Sequence, residues 1–218
     1  MDYAQQRHNM VESQVRPNQV TDDRILDAMA ELPREAFVAK AQKGIAYVDE
    51  ALPIGSGRYM MEPMVVARLL QSAAVNPGDV ALHIGCGTGY AAALMSKLAS
   101  TVVAVESDAK LAAEATRVLA DLSIDTVAVI DGPLQEGYPK QAPYDVLFFA
   151  GAVEHVPPAI SDQLAENGRL VAVVAPPGPG AGKAVLISRH GGVLSSREIF
   201  DAGTPLLPGF TRAKAFVF

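Results

Sequence analysis

The chain has 218 residues, half of them apolar, which suits one domain with a sizeable core. Its formal net charge of −6 and its scattered basic residues argue against a nucleic-acid-binding surface, and no stretch has the ~18–20 apolar residues that cross a bilayer. The single cysteine excludes an internal disulfide, and the polar start has no signal-peptide core. We therefore expect a cytoplasmic monomer that binds neither nucleic acid nor membranes.

Residues 1–62 are predicted to form a helical and loop extension to a core at 63–218, within a single domain. Thr21 is a suitable N-cap for a helix with apolar residues at helical spacing, which Pro33 ends. Residues 33–62 have little periodicity, but their apolar content argues against disorder, and their glycines and proline indicate a fixed turn. A loop of this length in a compact domain is usually functional, such as a lid or a binding loop.

Helices and strands alternate in the core. Predicted helices begin at Glu62-Pro63, after the glycine-rich turn at 85–89 and at Asp108, and another covers 158–166. Predicted strands occupy 80–85, 101–106, 127–130, 144–150 and 170–174. These strands are too apolar to have a wet face, which is typical of a parallel sheet with helices on both sides.

The end of the chain has a different pattern. Residues 184–189 and 193–200 flank a glycine turn and predict a β-hairpin, and residues 214–218 predict one more strand. The predicted fold class is therefore α/β. We expect a doubly wound, mostly parallel, Rossmann-like sheet with antiparallel C-terminal strands and an N-terminal helical extension.

The first strand of this core leads into the clearest binding signal. It ends in Gly85, Gly87 and Gly89, where the missing side chains allow a sharp turn and the close approach of a ligand. The next strand ends in a carboxylate, Glu106, seventeen residues after the last glycine. This combination is typical of a nucleoside-binding βαβ unit.

The glycine spacing discriminates between nucleoside ligands. The dinucleotide fingerprint would place its third glycine at position 90, which is Tyr90. The spacing instead resembles that of S-adenosyl-L-methionine-dependent methyltransferases. Glu106 would then accept hydrogen bonds from the ribose hydroxyls, and Asp131, followed by Gly132, could meet the adenine amino group. Their structural alternatives are a solvated strand-end acid and a turn aspartate, and Cys86 is interpreted as a small loop side chain rather than a reactive thiol.

The resemblance extends well beyond this turn. Residues 10–38 look like the N-terminal helix of protein-L-isoaspartate (D-aspartate) O-methyltransferases, and the pattern Tyr47-x-Asp49-x-x-Leu52-Pro53-Ile54-Gly55-x-Gly57 resembles that family's hallmark loop. Further matches follow in order at 83–90, 131–132, 143–145 and 163–171. The resemblance covers roughly residues 10–175, and the hallmark loop is its most specific part.

This resemblance implies a reaction. Enzymes of the family use S-adenosyl-L-methionine to methylate the free α-carboxylate of isoaspartyl residues, which begins the repair of damaged proteins. The carboxylate attacks the sulfonium methyl group in line, and it is already ionised at neutral pH, so a strong general base is unnecessary. The protein would mainly position two reactants and exclude water.

One departure from the family pattern lies at the acceptor side. The family has a catalytic or substrate-orienting serine where this chain has Met61, whose thioether cannot donate a hydrogen bond. Loss of such a donor typically costs ~10²–10³ in rate. Arg58, Tyr59 and Glu62 are nearby and could compensate, but an ordinary surface contact is the favoured interpretation of each. The guanidinium of Arg58 suits a carboxylate, whereas Glu62 suits a neutral or cationic acceptor.

The second departure is His83, where the family has an acid that helps to hold the methionine end of the cofactor. A charge-assisted bond is worth ~1.5–3 kcal/mol, so we predict cofactor binding weaker by roughly 10- to 100-fold than in a typical relative. The structural alternative is a packed strand residue. No histidine is spaced from another or from the cysteine as metal ligands are, so we expect no metal.

Three functions are compatible with these residues. The chain could methylate isoaspartyl proteins, methylate a different acceptor, or be a catalytically inactive relative that serves as a binding module. The intact glycine turn, Glu106 and the hallmark loop favour an active enzyme. Met61 and His83 motivate the other two functions.

Overall fold

The computed structural model describes residues 2–176, 178 and 180–212. The chain begins with helix α1 (Tyr3–Met10), which continues into a π-helical turn (Val11–Val15) and a 3-10 turn (Arg16–Asn18). Helix α2 (Asp23–Glu31) follows. Its N-cap is Asp22, whose carboxylate accepts a hydrogen bond from the Arg24 amide at 3.0 Å. The prediction of Thr21 as the cap was wrong, because the Thr21 amide donates instead to the Gln71 side chain, at 2.6 Å.

The segment after α2 is ordered by short elements. It contains two 3-10 helices (Arg34–Phe37 and Lys40–Ile45) and then a small antiparallel hairpin of β1 (Leu52–Gly55) and β2 (Arg58–Met60). The hairpin is followed by helix α3 (Pro63–Ala73), which starts at the predicted proline, with Glu62 as its N-cap. The fixed turn expected in this region is therefore the tip of a β-hairpin.

A seven-stranded sheet forms the core, in the order β5-β4-β3-β6-β7-β8-β9. The strands from β5 to β7 pair in parallel, whereas β8 and β9 are antiparallel to their inner neighbours. The strands are β3 (Val80–Ile84), β4 (Thr101–Glu106), β5 (Val127–Asp131), β6 (Tyr144–Val153), β7 (Leu164–Val174), β8 (Gly182–His190) and β9 (Val193–Ala202). The α/β fold class and the C-terminal hairpin are confirmed.

The remaining helices test the predicted boundaries. They are α4 (Tyr90–Ser96), α5 (Ala109–Asp121) and α6 (Pro158–Ser161). Asp108 caps α5 as predicted, accepting hydrogen bonds from the amides of Lys110 and Leu111 at 2.9 and 3.0 Å. The helix predicted over 158–166 was wrong. It stops at Ser161 because Leu164 begins β7, where it pairs with the first residue of β6.

Both faces of the inner strands are buried, as their apolar sequences predicted, whereas most residues of edge strand β9 are exposed. Ala81 packs in one apolar cluster with residues of α3 and α4, and its neighbour Leu82 packs in a second cluster on the opposite face. Apolar residues of α1 and α2 join the first cluster. The division into one domain with an extension stays a prediction, and the strand predicted at 214–218 lies outside the described residues. Within the described ranges, no helix is long and apolar enough to span a membrane.

Candidate active site

The glycine-rich turn lies at the carboxyl end of β3, beside that of β4. The amides of Gly85 and Cys86 donate to the carbonyl of Val105 at 2.8 and 3.1 Å, which fixes the turn against β4. Gly87 has a φ of +56°, and a Cβ placed there would lie 2.4 Å from the Cδ1 of Ile54 in β1. Glycine is required at this position both by the backbone conformation and by the hairpin that packs above it.

Glu106 is the electrostatic centre of the site. Its side chain is fully buried, and its carboxylate accepts hydrogen bonds from the amides of Gly87, Ser107 and Asp108 at 2.7, 2.8 and 3.1 Å. Arg58 completes the arrangement with two contacts of 3.0 Å to the two carboxylate oxygens. The predicted ribose-binding acid is therefore present where expected, but it is paired with an arginine that the sequence pattern did not connect to it.

Arg58 lies inside the protein and not on its surface. Only 4% of its side chain is exposed, and burial lowers the pKa of its guanidinium, an effect that Glu106 opposes. Its Nη2 atom lies 2.5 Å from where a Cβ on Gly85 would stand. The expectation of an ordinary surface contact was wrong, because hairpin strand β2 directs this side chain down onto the glycine turn.

The chemistry of these residues fits S-adenosyl-L-methionine, but the space above them is filled by side chains of the protein. A cavity of about 20 Å³ lies beside the turn, whereas ligand pockets usually have roughly 300–1,000 Å³. Ile54 and Arg58 fill the space from the hairpin, and Leu207 fills it from the C-terminal side, 2.8 Å from a Cβ placed on Gly85. A cofactor of this size therefore requires the side chains of Ile54, Arg58 and Leu207 to move outward.

His83 lines this cavity from β3. It is fully buried against Phe148, with the ring centroids 5.3 Å apart, and neither ring nitrogen has a hydrogen-bond partner within the described part of the chain. Burial, reinforced by the positive charge of Arg58, lowers the pKa of the imidazole to about 3. His83 is therefore neutral at physiological pH, and its packing supports the structural interpretation. Its effect on cofactor affinity stays a prediction.

Met61 lies on the other side of the same cavity. It is buried, and its carbonyl accepts a hydrogen bond of 2.7 Å from Arg34. Arg34 is itself fully buried, donates to the carbonyl of Ala46 at 2.7 Å and lies 4.6 Å from the centre of the Tyr90 ring. Arg34 thus connects the residues that flank the hallmark loop to Tyr90, the first residue of α4. Sequence reasoning missed this role, although Arg34 is part of a segment that resembles the family.

A second small cavity, of about 10 Å³, continues from Met61 toward the C-terminal segment. Tyr59, Met61 and Ala150 line both cavities. Tyr59 is 39% exposed and forms part of the rim. Glu62 is partly buried, and burial raises the pKa of its carboxyl group above the usual range. Of the four residues proposed for the acceptor side, Arg58, Tyr59 and Met61 line this second cavity, and Glu62 lines neither cavity.

The other predicted site residues also lie at the carboxyl ends of the strands. Burial raises the pKa of the Cys86 thiol, so this cysteine is not an activated nucleophile. Asp131 is exposed and pairs in register with Glu106, and the Gly132 amide donates to the Glu106 carbonyl at 3.0 Å. Among residues 2–176, 178 and 180–212, no group of three or more His, Cys, Asp or Glu side chains could hold a metal ion.

A mostly parallel sheet with two antiparallel strands at one edge, a glycine turn after its central strand and a buried acid at the end of the next strand is typical of S-adenosylmethionine-dependent methyltransferases. The family model described as Protein-L-isoaspartate(D-aspartate) O-methyltransferase (PCMT) matches residues 5–197. The chain therefore belongs to this family of S-adenosylmethionine-dependent O-methyltransferases.

Individual relatives agree with this assignment. The protein-L-isoaspartate O-methyltransferase of Koribacter versatilis (strain Ellin345) is 43% identical over 175 residues, which cover 80% of this chain and 79% of the relative. That of Roseiflexus castenholzii (strain DSM 13941 / HLO8) is 37% identical over 96% of this chain and 95% of its own. A solved protein-L-isoaspartate O-methyltransferase superposes with a TM-score of 0.82 at 28% identity over 93% of this chain, which spans 66% of that longer protein.

Proposed function

We propose that the chain methylates the free α-carboxylate of isoaspartyl residues in damaged proteins, with S-adenosyl-L-methionine as the methyl donor. The observation that carries this proposal is the buried Glu106 carboxylate, held by three backbone amides beside the glycine turn and beneath the hallmark hairpin. Such a carboxylate can accept hydrogen bonds from the two ribose hydroxyls, and family membership supplies the substrate class.

The cofactor supplies the electrophilic methyl group. Gly85, Gly87 and Gly89 would let it approach the backbone, Glu106 would hold its ribose, and Asp131 would lie toward its adenine. Once Arg58 leaves Glu106, its planar guanidinium becomes available to the acceptor carboxylate. Hairpin β1–β2 would then close over both reactants and exclude water, so the chain would act chiefly by orientation.

The acceptor side of the site supports a carboxylate substrate. The guanidinium of Arg58 and the exposed aromatic ring of Tyr59 both belong to residues that line the cavity beside Met61. Burial raises the pKa of the neighbouring Glu62 carboxyl group. Met61 contributes shape but no hydrogen-bond donor.

The test is transfer of a labelled methyl group from S-adenosyl-L-methionine to an isoaspartyl peptide. The expected product is a base-labile methyl ester, and a peptide of the same sequence with ordinary aspartate serves as the control and should gain no label. Absence of cofactor binding up to millimolar concentration in a calorimetric titration would indicate the binding-module function instead. Cofactor binding without ester formation would indicate a changed acceptor, which a panel of other nucleophiles would then identify.

We further propose that the protein acts as a monomer in the cytoplasm. The single, buried cysteine is compatible with a reducing compartment, and the scattered basic residues argue against a nucleic-acid partner. Light scattering coupled to size-exclusion chromatography should give the mass of one chain, 22.9 kDa. A mass of twice that value would contradict the monomer.

A further inference from the structure

The acceptor side has Met61 at the position, four residues after the hallmark loop, where the family resemblance implies a serine hydroxyl. Met61 occupies that position and is buried, with 3% of its surface exposed. The question is whether another part of the chain supplies a hydrogen-bond donor to the same place. Such a donor would have to face the cavity that Met61 lines.

Thr204 meets this requirement. It is only 9% exposed, and its buried hydroxyl oxygen makes no well-formed hydrogen bond among the residues that the structure describes. The hydroxyl lies beside the Glu62 carboxyl group and lowers its pKa, against the larger raising effect of burial. Thr204 and Met61 line the same cavity of about 10 Å³. A buried hydroxyl without a partner typically costs about 1–3 kcal/mol, so its presence calls for a physical reason. A ligand that enters the cavity would supply the missing partner.

The position of Thr204 is fixed by the strand beside it. The carbonyl of Pro205 accepts a hydrogen bond from the Ala152 amide at 2.9 Å, and the Leu207 amide donates to the Ala152 carbonyl at 2.7 Å. These two bonds attach the segment at 204–208 to the carboxyl end of β6, where the ligand of a parallel sheet binds. The hydroxyl is therefore held over the site by backbone bonds that do not involve the side chain of Thr204.

The two small cavities meet at Met61. Tyr59 and Ala150 line both of them, with the glycine turn on one side and Thr204 on the other. An acceptor carboxylate that approaches a methyl group above the glycine turn would thus pass between Met61 and Thr204.

We propose that the Thr204 hydroxyl orients the acceptor carboxylate by donating a hydrogen bond to it, and so replaces in space the serine that the family has at position 61. The proposal rests on the proposed function, because the acceptor it assumes is a carboxylate. Thr204 forms no covalent bond in this role. It lowers the barrier only by holding the carboxylate oxygen in line with the methyl group.

The test compares three variants in the labelled-methyl assay with isoaspartyl peptide. Thr204→Val keeps the shape but removes the hydroxyl, and should lower kcat/KM by ~10²–10³. Thr204→Ser keeps the hydroxyl and should stay within about threefold of the wild type. Adding Met61→Ser to Thr204→Val restores a donor from the other side of the cavity and should recover at least about tenfold of the lost activity.

Two further measurements separate orientation from folding. Calorimetric binding of S-adenosyl-L-homocysteine should be the same in the wild type and in Thr204→Val, because the hydroxyl faces the acceptor and not the cofactor. Binding of the isoaspartyl peptide to the enzyme loaded with S-adenosyl-L-homocysteine should weaken about tenfold in Thr204→Val and not in Thr204→Ser.

Several results would overturn the proposal. An active wild type with Thr204→Val within about threefold of it would remove Thr204 from the site while leaving the proposed function intact. Equal losses in Thr204→Val and Thr204→Ser, or no recovery on adding Met61→Ser, would show that the residue only supports packing. A wild type that binds cofactor but forms no ester on isoaspartyl peptide would overturn the proposed function and this inference together.

Discussion

Replacement of Arg58 by methionine should strengthen cofactor binding. Arg58 makes two contacts of 3.0 Å with Glu106, and it fills the space directly above Gly85. Ribose hydroxyls would need the same carboxylate oxygens, so the arginine and the cofactor compete for one acceptor. The Arg58→Met variant has a side chain of similar length but no charge, and it therefore removes the competitor while retaining most of the packing.

The size of the effect follows from these contacts. Each hydrogen bond to a charged group is worth ~1.5–3 kcal/mol, and the cofactor must replace two of them before it gains any affinity at Glu106. The displaced guanidinium recovers part of this energy in water. We therefore expect S-adenosyl-L-homocysteine to bind the variant about 10- to 100-fold more tightly, which corresponds to about 1.4–2.8 kcal/mol.

The same substitution should destabilise the free protein. Removing one partner of a buried ion pair costs ~3–5 kcal/mol, and the three backbone amides that still bind Glu106 favour the lower end of this range. Isothermal titration measures the affinity and urea unfolding measures the stability. Arg169→Met is the matched control, because it breaks the Arg169–Asp79 pair of 2.6 Å at the amino ends of the strands, away from the glycine turn.

In the control variant, stability should fall while the affinity for S-adenosyl-L-homocysteine stays unchanged. A wild-type or lower affinity in a folded Arg58→Met variant would refute the competition between Arg58 and the cofactor. It would mean that the guanidinium stays near Glu106 in the complex and helps to bind the ligand.

Three more predictions concern the same site. Glu106→Gln should weaken S-adenosyl-L-homocysteine binding by about tenfold or more in a calorimetric titration, because the ribose loses a charged acceptor, and unchanged binding would place the ribose elsewhere. The unfolded chain protonates His83 near pH 6.5 whereas the folded protein does so only near about 3, so this group lowers the unfolding free energy by about 1.4 kcal/mol per pH unit as pH falls between those values. Urea titrations at about pH 7.5 and about pH 5 should show a loss about 2 kcal/mol larger in the wild type than in His83→Leu, and equal losses would refute the burial effect. Gly87→Ala should cost roughly 1–3 kcal/mol of stability, and Ile54→Ala in the same chain should restore part of it, because the new Cβ would lie 2.4 Å from Ile54; strictly additive effects would show that the two residues do not meet.

Local signals in the sequence predicted the elements that depend on neighbouring residues. The capping carboxylate of Asp108 and the proline after Glu62 fix their helix starts through bonds within a few positions. The helix expected over 158–166 fails for the opposite reason. The carbonyl of Gln163 accepts a hydrogen bond from Tyr144 at 2.8 Å, and its side chain accepts one from the Tyr138 amide at 3.0 Å, so contacts with distant residues end the helix early.

The residues of the candidate site likewise fall into those that a local sequence signal predicts and those whose position depends on distant parts of the chain. The glycine turn and Glu106 are visible in the sequence because strand ends and glycine spacing are local features. The pairing of Glu106 with Arg58 spans 48 positions and has no local signature. The approach of Thr204 and Leu207 likewise depends on how the last part of the chain crosses the end of β6. The burial of His83 is the intermediate case, since the alternation of the strand predicts packing but not the loss of every hydrogen-bond partner.

The closed arrangement over the glycine turn also has a consequence for the timing of catalysis. The side chains of Ile54, Arg58 and Leu207 that bar entry would also bar exit, so spent cofactor leaves only when they part again. We expect methyl transfer inside the closed site to be faster than each opening, so that product release limits turnover. We expect such an enzyme to form its first equivalent of ester in a rapid burst. Later turnovers would then proceed at the slower rate at which the hairpin opens.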